Sequence, residues 1–167
     1  MLNKEKIASF NESYLATHKQ NLNFLGENLS KKNLDLNTIL NKLSDFQIAI
    51  PSWALGTGGT RFGRFPLGGE PNTLEEKIKD VGLLHALNRS SGAISLHIPW
   101  DIPEDYKKMK SLAHELDINF DAVNSNTFQD QSGGTHSYKF GSLSHIDKAV
   151  RKKAIQHNKE VIDHGIK

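Results

Sequence analysis

Ala93-Ile-Ser-Leu-His-Ile-Pro-Trp-Asp101 is a short apolar run that closes on a histidine, a tryptophan and an aspartate. Its aliphatic and β-branched residues predict a buried strand over 93–98. Turn residues normally end such a strand. Here His97, Trp100 and Asp101 set a polar handle and an aromatic plate at its carboxyl end. In α/β folds that end of a parallel sheet is where ligands bind.

The flanking sequence supports such a sheet. Thr73 and Glu76 form a capping box ahead of Leu74, Ile78, Val81 and Leu84, an apolar stripe at helical spacing. After the strand, Tyr106, Met109, Leu112, Ala113 and Leu116 predict an amphipathic helix over 104–116, and Ile118 to Asn124 a further strand. Phe46 to Trp53 reads as an earlier buried strand. A last helix opens at Ser144 and Asp147 and carries Ile146, Val150, Ala154 and Val161. The lysine- and asparagine-rich lead-in, residues 1–45, repeats apolar residues at Ile7, Phe10 and Tyr14, at Leu22, Leu25 and Leu29, and at Ile39, Leu40 and Leu43. These predict short helices. From residue 46 to 167 the order is β-α-β-α-β-α without a hairpin signal, which argues for a parallel sheet and an α/β fold. Three strands do not finish one, since a closed barrel takes about 250 residues. The topology therefore predicts a truncated protein.

Composition excludes several classes. The 167 residues are 37% hydrophobic and 24% charged, as in a soluble globular protein. No apolar run approaches the roughly 18 residues of a membrane span, and the first 20 residues lack a signal-peptide core. The absence of cysteine removes disulfides, thiolate nucleophiles and thiolate-bound zinc, and points to the cytoplasm. A net charge of +2, evenly mixed, is too mild for nucleic acid.

The glycine-rich loop 56–69 invites a phosphate reading, with Arg61 and Arg64 beside a possible nest of backbone N–H groups. It matches neither the P-loop nor the dinucleotide pattern. An exposed arm whose Phe62 and Phe65 bury against a partner accounts for it better. The eight histidines are scattered: His85 and His157 fall on or beside helical core faces, His18, His114 and His164 on the surface, and His136 and His145 in a loop and a helix start. They give no metal-ligand spacing, so no metal is expected within this chain. Trp53, Trp100 and Phe128 each lie at or just past a strand's carboxyl end, as aromatic walls of one cavity would. Asp101, Asp121, Asn124 and Asn126 are candidate polar contacts. On a regular strand Asp121 and Asn124 face opposite ways, so at most one of them joins the cavity.

Four segments in register resemble one family. Pro51-Ser-Trp-Ala-Leu-Gly-Thr-Gly-Gly-Thr-Arg-Phe62, Ser95-Leu-His-Ile-Pro-Trp-Asp101, Phe120-Asp-Ala-Val-Asn-Ser-Asn-Thr-Phe-Gln-Asp130 and Ser137-Tyr-Lys-Phe-Gly-Ser-Leu-Ser-His145 are similar to the amino-terminal part of bacterial, broad-specificity L-rhamnose isomerases. The resemblance implies the first three β/α units of a partial (β/α)8 TIM barrel, xylose isomerase-like, preceded by short N-terminal helices. It implies an aldose–ketose isomerase that moves hydrogen between C1 and C2 with divalent ions, typically manganese, and that works as a homo-oligomer, a tetramer. By motif, Trp53, His97 and Trp100 would line the sugar pocket, with Phe128 beside them, and Phe62 would reach a neighbouring subunit's pocket. The family's metal ligands and acid–base groups sit on later strands, so no catalytic residue and no bound ion is expected in this chain. Taken alone it should be inactive.

The alternatives are an isomerase or epimerase for another sugar, a stand-alone carbohydrate-binding or interaction module, and a phosphate-binding domain built on loop 56–64. The trans-subunit assignment is testable. Phe62→Ala in the oligomeric enzyme should raise the Michaelis constant for sugar, and an unchanged constant would count against it.

Overall fold

The computed structural model describes residues 3–55, 68–130 and 133–167. Three helices open the chain: α1, Lys4–Glu12, α2, Leu15–Ser30, and α3, Leu36–Ser44. Asn3 and Asp35 cap the first and third by accepting the Lys6 and Thr38 N–H groups. The lead-in contributes little to the core, because Ile7 is its one buried residue among those described.

Strand β1, Ala49–Pro51, is shorter than the run Phe46–Trp53 predicts, and Ser52–Ala54 turns into a single 3-10 turn. Phe46 and Ile48 are 64% and 44% exposed rather than buried. Gln47 holds this approach in place of apolar packing. Its carboxamide donates to the Ser44 and Arg89 carbonyls and accepts the Gly92 N–H at 3.0 Å. Helix α4, Leu74–Asn88, starts at the expected capping box, with Thr73 and Glu76 each accepting the other's N–H. It stops at Arg89, which adopts the left-handed conformation (φ 58°).

Strand β2, Ala93–Ile98, lies between β1 and β3, Asn119–Ser125, in a parallel sheet of order β1-β2-β3. The α/β class is as expected. Between β2 and β3 stands α5, Tyr106–Glu115, capped by Asp105. Ile94 and Leu96 of β2 pack with Leu74, Ile78 and Val81 of α4 and Met109 and Ala113 of α5. Burying these side chains is the main stabilising term in a domain of this size. The helices come close: a Cβ on Gly82 would stand 2.9 Å from Leu116 side-chain atoms.

Helix α6, Lys148–Ile166, is capped by Asp147 rather than Ser144. It packs on β3, where a Cβ at Gly165 would meet Val123 at 2.8 Å. Val150 and Ala154 bury Tyr138 of the preceding loop, forming a second small core, and Val161 is buried too. Ile146, which the sequence suggests for this apolar face, is 93% exposed because it precedes the first turn of the helix. Among the described residues no helix is long and apolar enough to cross a membrane.

Candidate functional site

The buried run of β2 delivers His97 to the carboxyl edge of the sheet, where the chain folds back on itself. The N–H groups of Trp100 and Asp101 both donate to the His97 carbonyl, at 3.0 and 3.1 Å, around a cis Ile98–Pro99 peptide. This return brings the Asp101 carboxylate inward, where it is fully buried. One oxygen accepts the His97 backbone N–H at 2.7 Å and the Ser52 hydroxyl; the other accepts the Lys77 ammonium at 2.7 Å. The Lys77 side chain is itself only 3% exposed. Two charges withdrawn from water are tolerable when their remaining hydrogen-bonding capacity is filled, as it is here. Asp101 is therefore committed to holding the rim together and is not a free polar contact for a ligand, contrary to the sequence expectation. Lys77 and Ser52 escape sequence reasoning. A signal for Lys77 exists, since it stands three residues after Leu74 and four before Val81, within the buried stripe of α4.

Around the His97 ring the structure brings together all three predicted aromatics. The Trp53 and Trp100 rings meet it edge-on, with centroids at 5.2 and 4.6 Å, and Phe128 lies at 5.6 Å with a 33° tilt. His97 is 6% exposed, while Trp100 and Phe128 are 36% and 48% exposed and form the outer wall. Neither imidazole nitrogen has a hydrogen-bond partner. Burial holds the His97 pKa below its usual value, opposed by Asp101 and reinforced by His157 and Lys77. The ring is thus neutral at pH 7, with one N–H donor and one acceptor nitrogen.

Strand β3 supplies the neighbouring polar groups through an irregularity. Ile94 pairs with Phe120 but Leu96 pairs with Val123, so β3 carries one extra residue between these pairs. That bulge cancels the alternation expected of Asp121 and Asn124. Asp121 accepts a hydrogen bond from the Ser95 hydroxyl at 3.0 Å, and Asn124 stands in register with His97. Ser95 and His97 share one face of β2, so both polar residues of β3 lie on that face. Beyond the strand, Asn126 is 1% exposed, and its backbone N–H reaches both the Ile98 carbonyl and Nε2 of His157 on α6. His157 is therefore structural, as its sequence position suggests. Phe62 and the arm 56–67 lie outside the described residues.

The other histidines are occupied elsewhere. His85 is buried, with Nε2 3.5 Å from Asp117. His164 is not a free surface residue: its ring stacks on Tyr106 and hydrogen-bonds the phenol. Among the described residues no three His, Asp or Glu side chains converge as metal ligands. The His97 nitrogens are shielded by aromatic rings and the Asp101 oxygens are already used. These residues do not fit the divalent ion implied by the resemblance, and no metal contact is assigned to them. A cleft of about 370 Å³ between the starts of α4 and α5 borders the rim only at Trp100.

No protein-family model matches the chain. It is similar to a protein of Rhizobium meliloti named "probable sugar isomerase", with 47% identity over 141 residues. A second protein of that name, from Mesorhizobium japonicum, is 46% identical over 141 residues. Each match covers 84% of this chain and 33% of the relative, so the chain spans about a third of the length of these relatives.

Two expectations follow from the geometry. Lys77→Met or Asp101→Asn should each cost about 3 kcal/mol by stranding a buried partner. The double variant should cost less than the sum, read from urea midpoints. For His97 the lowered folded pKa means that, below its unfolded value of about 6.5, the unfolded chain binds more protons than the folded one. Its contribution to stability is present above that value and is lost as pH falls through the lower folded pKa. The stability difference between the native protein and His97→Gln should accordingly shrink between pH 7.5 and 5.

Proposed function

We propose that this chain forms a sugar-binding wall of a sugar isomerase of the L-rhamnose isomerase kind. The observation that carries the reading is the buried His97 ring, enclosed by Trp53, Trp100 and Phe128, with both its nitrogens unpartnered. A monosaccharide has apolar C–H faces and a periphery of hydroxyls. Aromatic walls take the faces, while a neutral imidazole donates one hydrogen bond and accepts another, which suits hydroxyls that also do both. The 46–47% identity to the two rhizobial proteins supports the same substrate class.

In this reading Phe128, the most exposed of the three aromatics, swings aside as the sugar reaches His97. The acceptor nitrogen of His97 takes the anomeric hydroxyl's hydrogen bond and favours opening of the sugar ring. The neutral state that burial imposes keeps that nitrogen available. The Lys77–Asp101 pair fixes the backbone under the histidine, so the sugar meets a prearranged group. We extend the reading to a (β/α)8 barrel of which β1 to β3 are the first strands, in a cytoplasmic homo-oligomer that uses a divalent ion such as manganese. The hydrogen shift between C1 and C2 is assigned to no residue of this chain.

Both tryptophans of the sequence, Trp53 and Trp100, belong to this cluster, so intrinsic fluorescence reports on it alone. Titration with L-rhamnose should change that fluorescence saturably, and His97→Asn should weaken the response. A native protein whose emission is indifferent to L-rhamnose and other aldoses would sink the reading.

A further inference from the structure

Among the described residues, four buried side-chain nitrogen or oxygen atoms lack a hydrogen-bond partner, and three of them belong to His97 and Asn126. Resting on the sugar-binding reading above, we propose that Asn126 is a further sugar-contacting residue, whose Nδ2 donates to a sugar hydroxyl beside His97.

Three anchors fix the orientation of this carboxamide. The backbone N–H of Asn126 is held by the Ile98 carbonyl and by Nε2 of His157. Its Oδ1 accepts the Gln129 N–H at 3.2 Å. A backbone N–H facing that atom requires an oxygen there, so the amide cannot be turned over, and Nδ2 is the end left without a partner. Position points the same way. Asn124 is in register with His97, and Asn126 follows two residues later, on the same side by the alternation of an extended chain. Two residues further on, Phe128 packs on the His97 ring.

A donor that is 1% exposed and unpaired is costly to the folded protein, and a ligand that supplies an acceptor relieves that cost. The His97 ring offers one donor and one acceptor, and Asn126 adds donors only. That asymmetry suits a hydroxyl oxygen whose own proton is directed elsewhere. It also makes Asn126 a discriminator, because a sugar without that hydroxyl leaves the amide unpaired.

The test uses Asn126→Asp, which keeps the Oδ1 acceptor for Gln129 and replaces the donor, and Asn126→Ser, which removes the donor without adding charge. Affinity for L-rhamnose and its monodeoxy analogues is read by tryptophan fluorescence, with melting temperature as the check on folding. Both variants should bind L-rhamnose about tenfold more weakly, the worth of one hydrogen bond. One deoxy analogue should bind the native protein and both variants alike, since it lacks the hydroxyl that Nδ2 meets. Variants that bind L-rhamnose as the native protein does would overturn the proposal. So would an equal loss for every analogue, which marks a structural role. If the native protein binds none of these sugars, the sugar-binding reading itself falls.

Discussion

A lysine ammonium and an aspartate carboxylate, both sealed from water, set the geometry of the rim. Lys77 comes from α4, Asp101 from the return after β2, and the same carboxylate takes the Ser52 hydroxyl and the His97 backbone N–H. One side chain therefore ties together the end of β1, the end of β2 and the helix that covers them. Such a pair adds little net stability over an apolar replacement, because desolvation offsets the Coulomb attraction. Its contribution here is positional. Trp53 follows Ser52, and Trp100 precedes Asp101, so the network places both tryptophans against the His97 ring.

Much of the architecture is legible in the residues. The capping box at Thr73 and Glu76, the apolar run 93–98 and the periodic stripes of α4 and α5 all report local preferences that tertiary packing endorses. Where the reading fails, long-range interactions decide. Phe46 and Ile48 look like strand residues, yet the Gln47 carboxamide, bridging to Arg89 and Gly92 more than forty positions away, governs that stretch. Hydrophobic pattern carries no trace of such a bridge.

The candidate site was half visible for a related reason. Trp53, Trp100 and Phe128 declare themselves by occurring just past strand ends, and the structure gathers them around His97. The polar groups resist the same treatment. Asp101 reads as solvent-facing until a lysine is found in the helix interior, and Asp121 and Asn124 read as opposed until the bulge is seen. A carboxylate or amide is compatible with several environments, and its partners lie far away in sequence.

The bulge in β3 makes the strand sensitive to parity. Phe120 and Val123 both pair with helix-facing residues of β2, although three positions separate them, because the extra residue absorbs the half-step. Removing one residue between them would exchange inside for outside along everything that follows, carrying Asn124 and Asn126 away from His97. Removing or adding two would restore the faces and alter only reach. Length variation in this strand is thus tolerable in even steps and ruinous in odd ones, so the irregularity acts as a counted spacer between the packed core and the ligand rim.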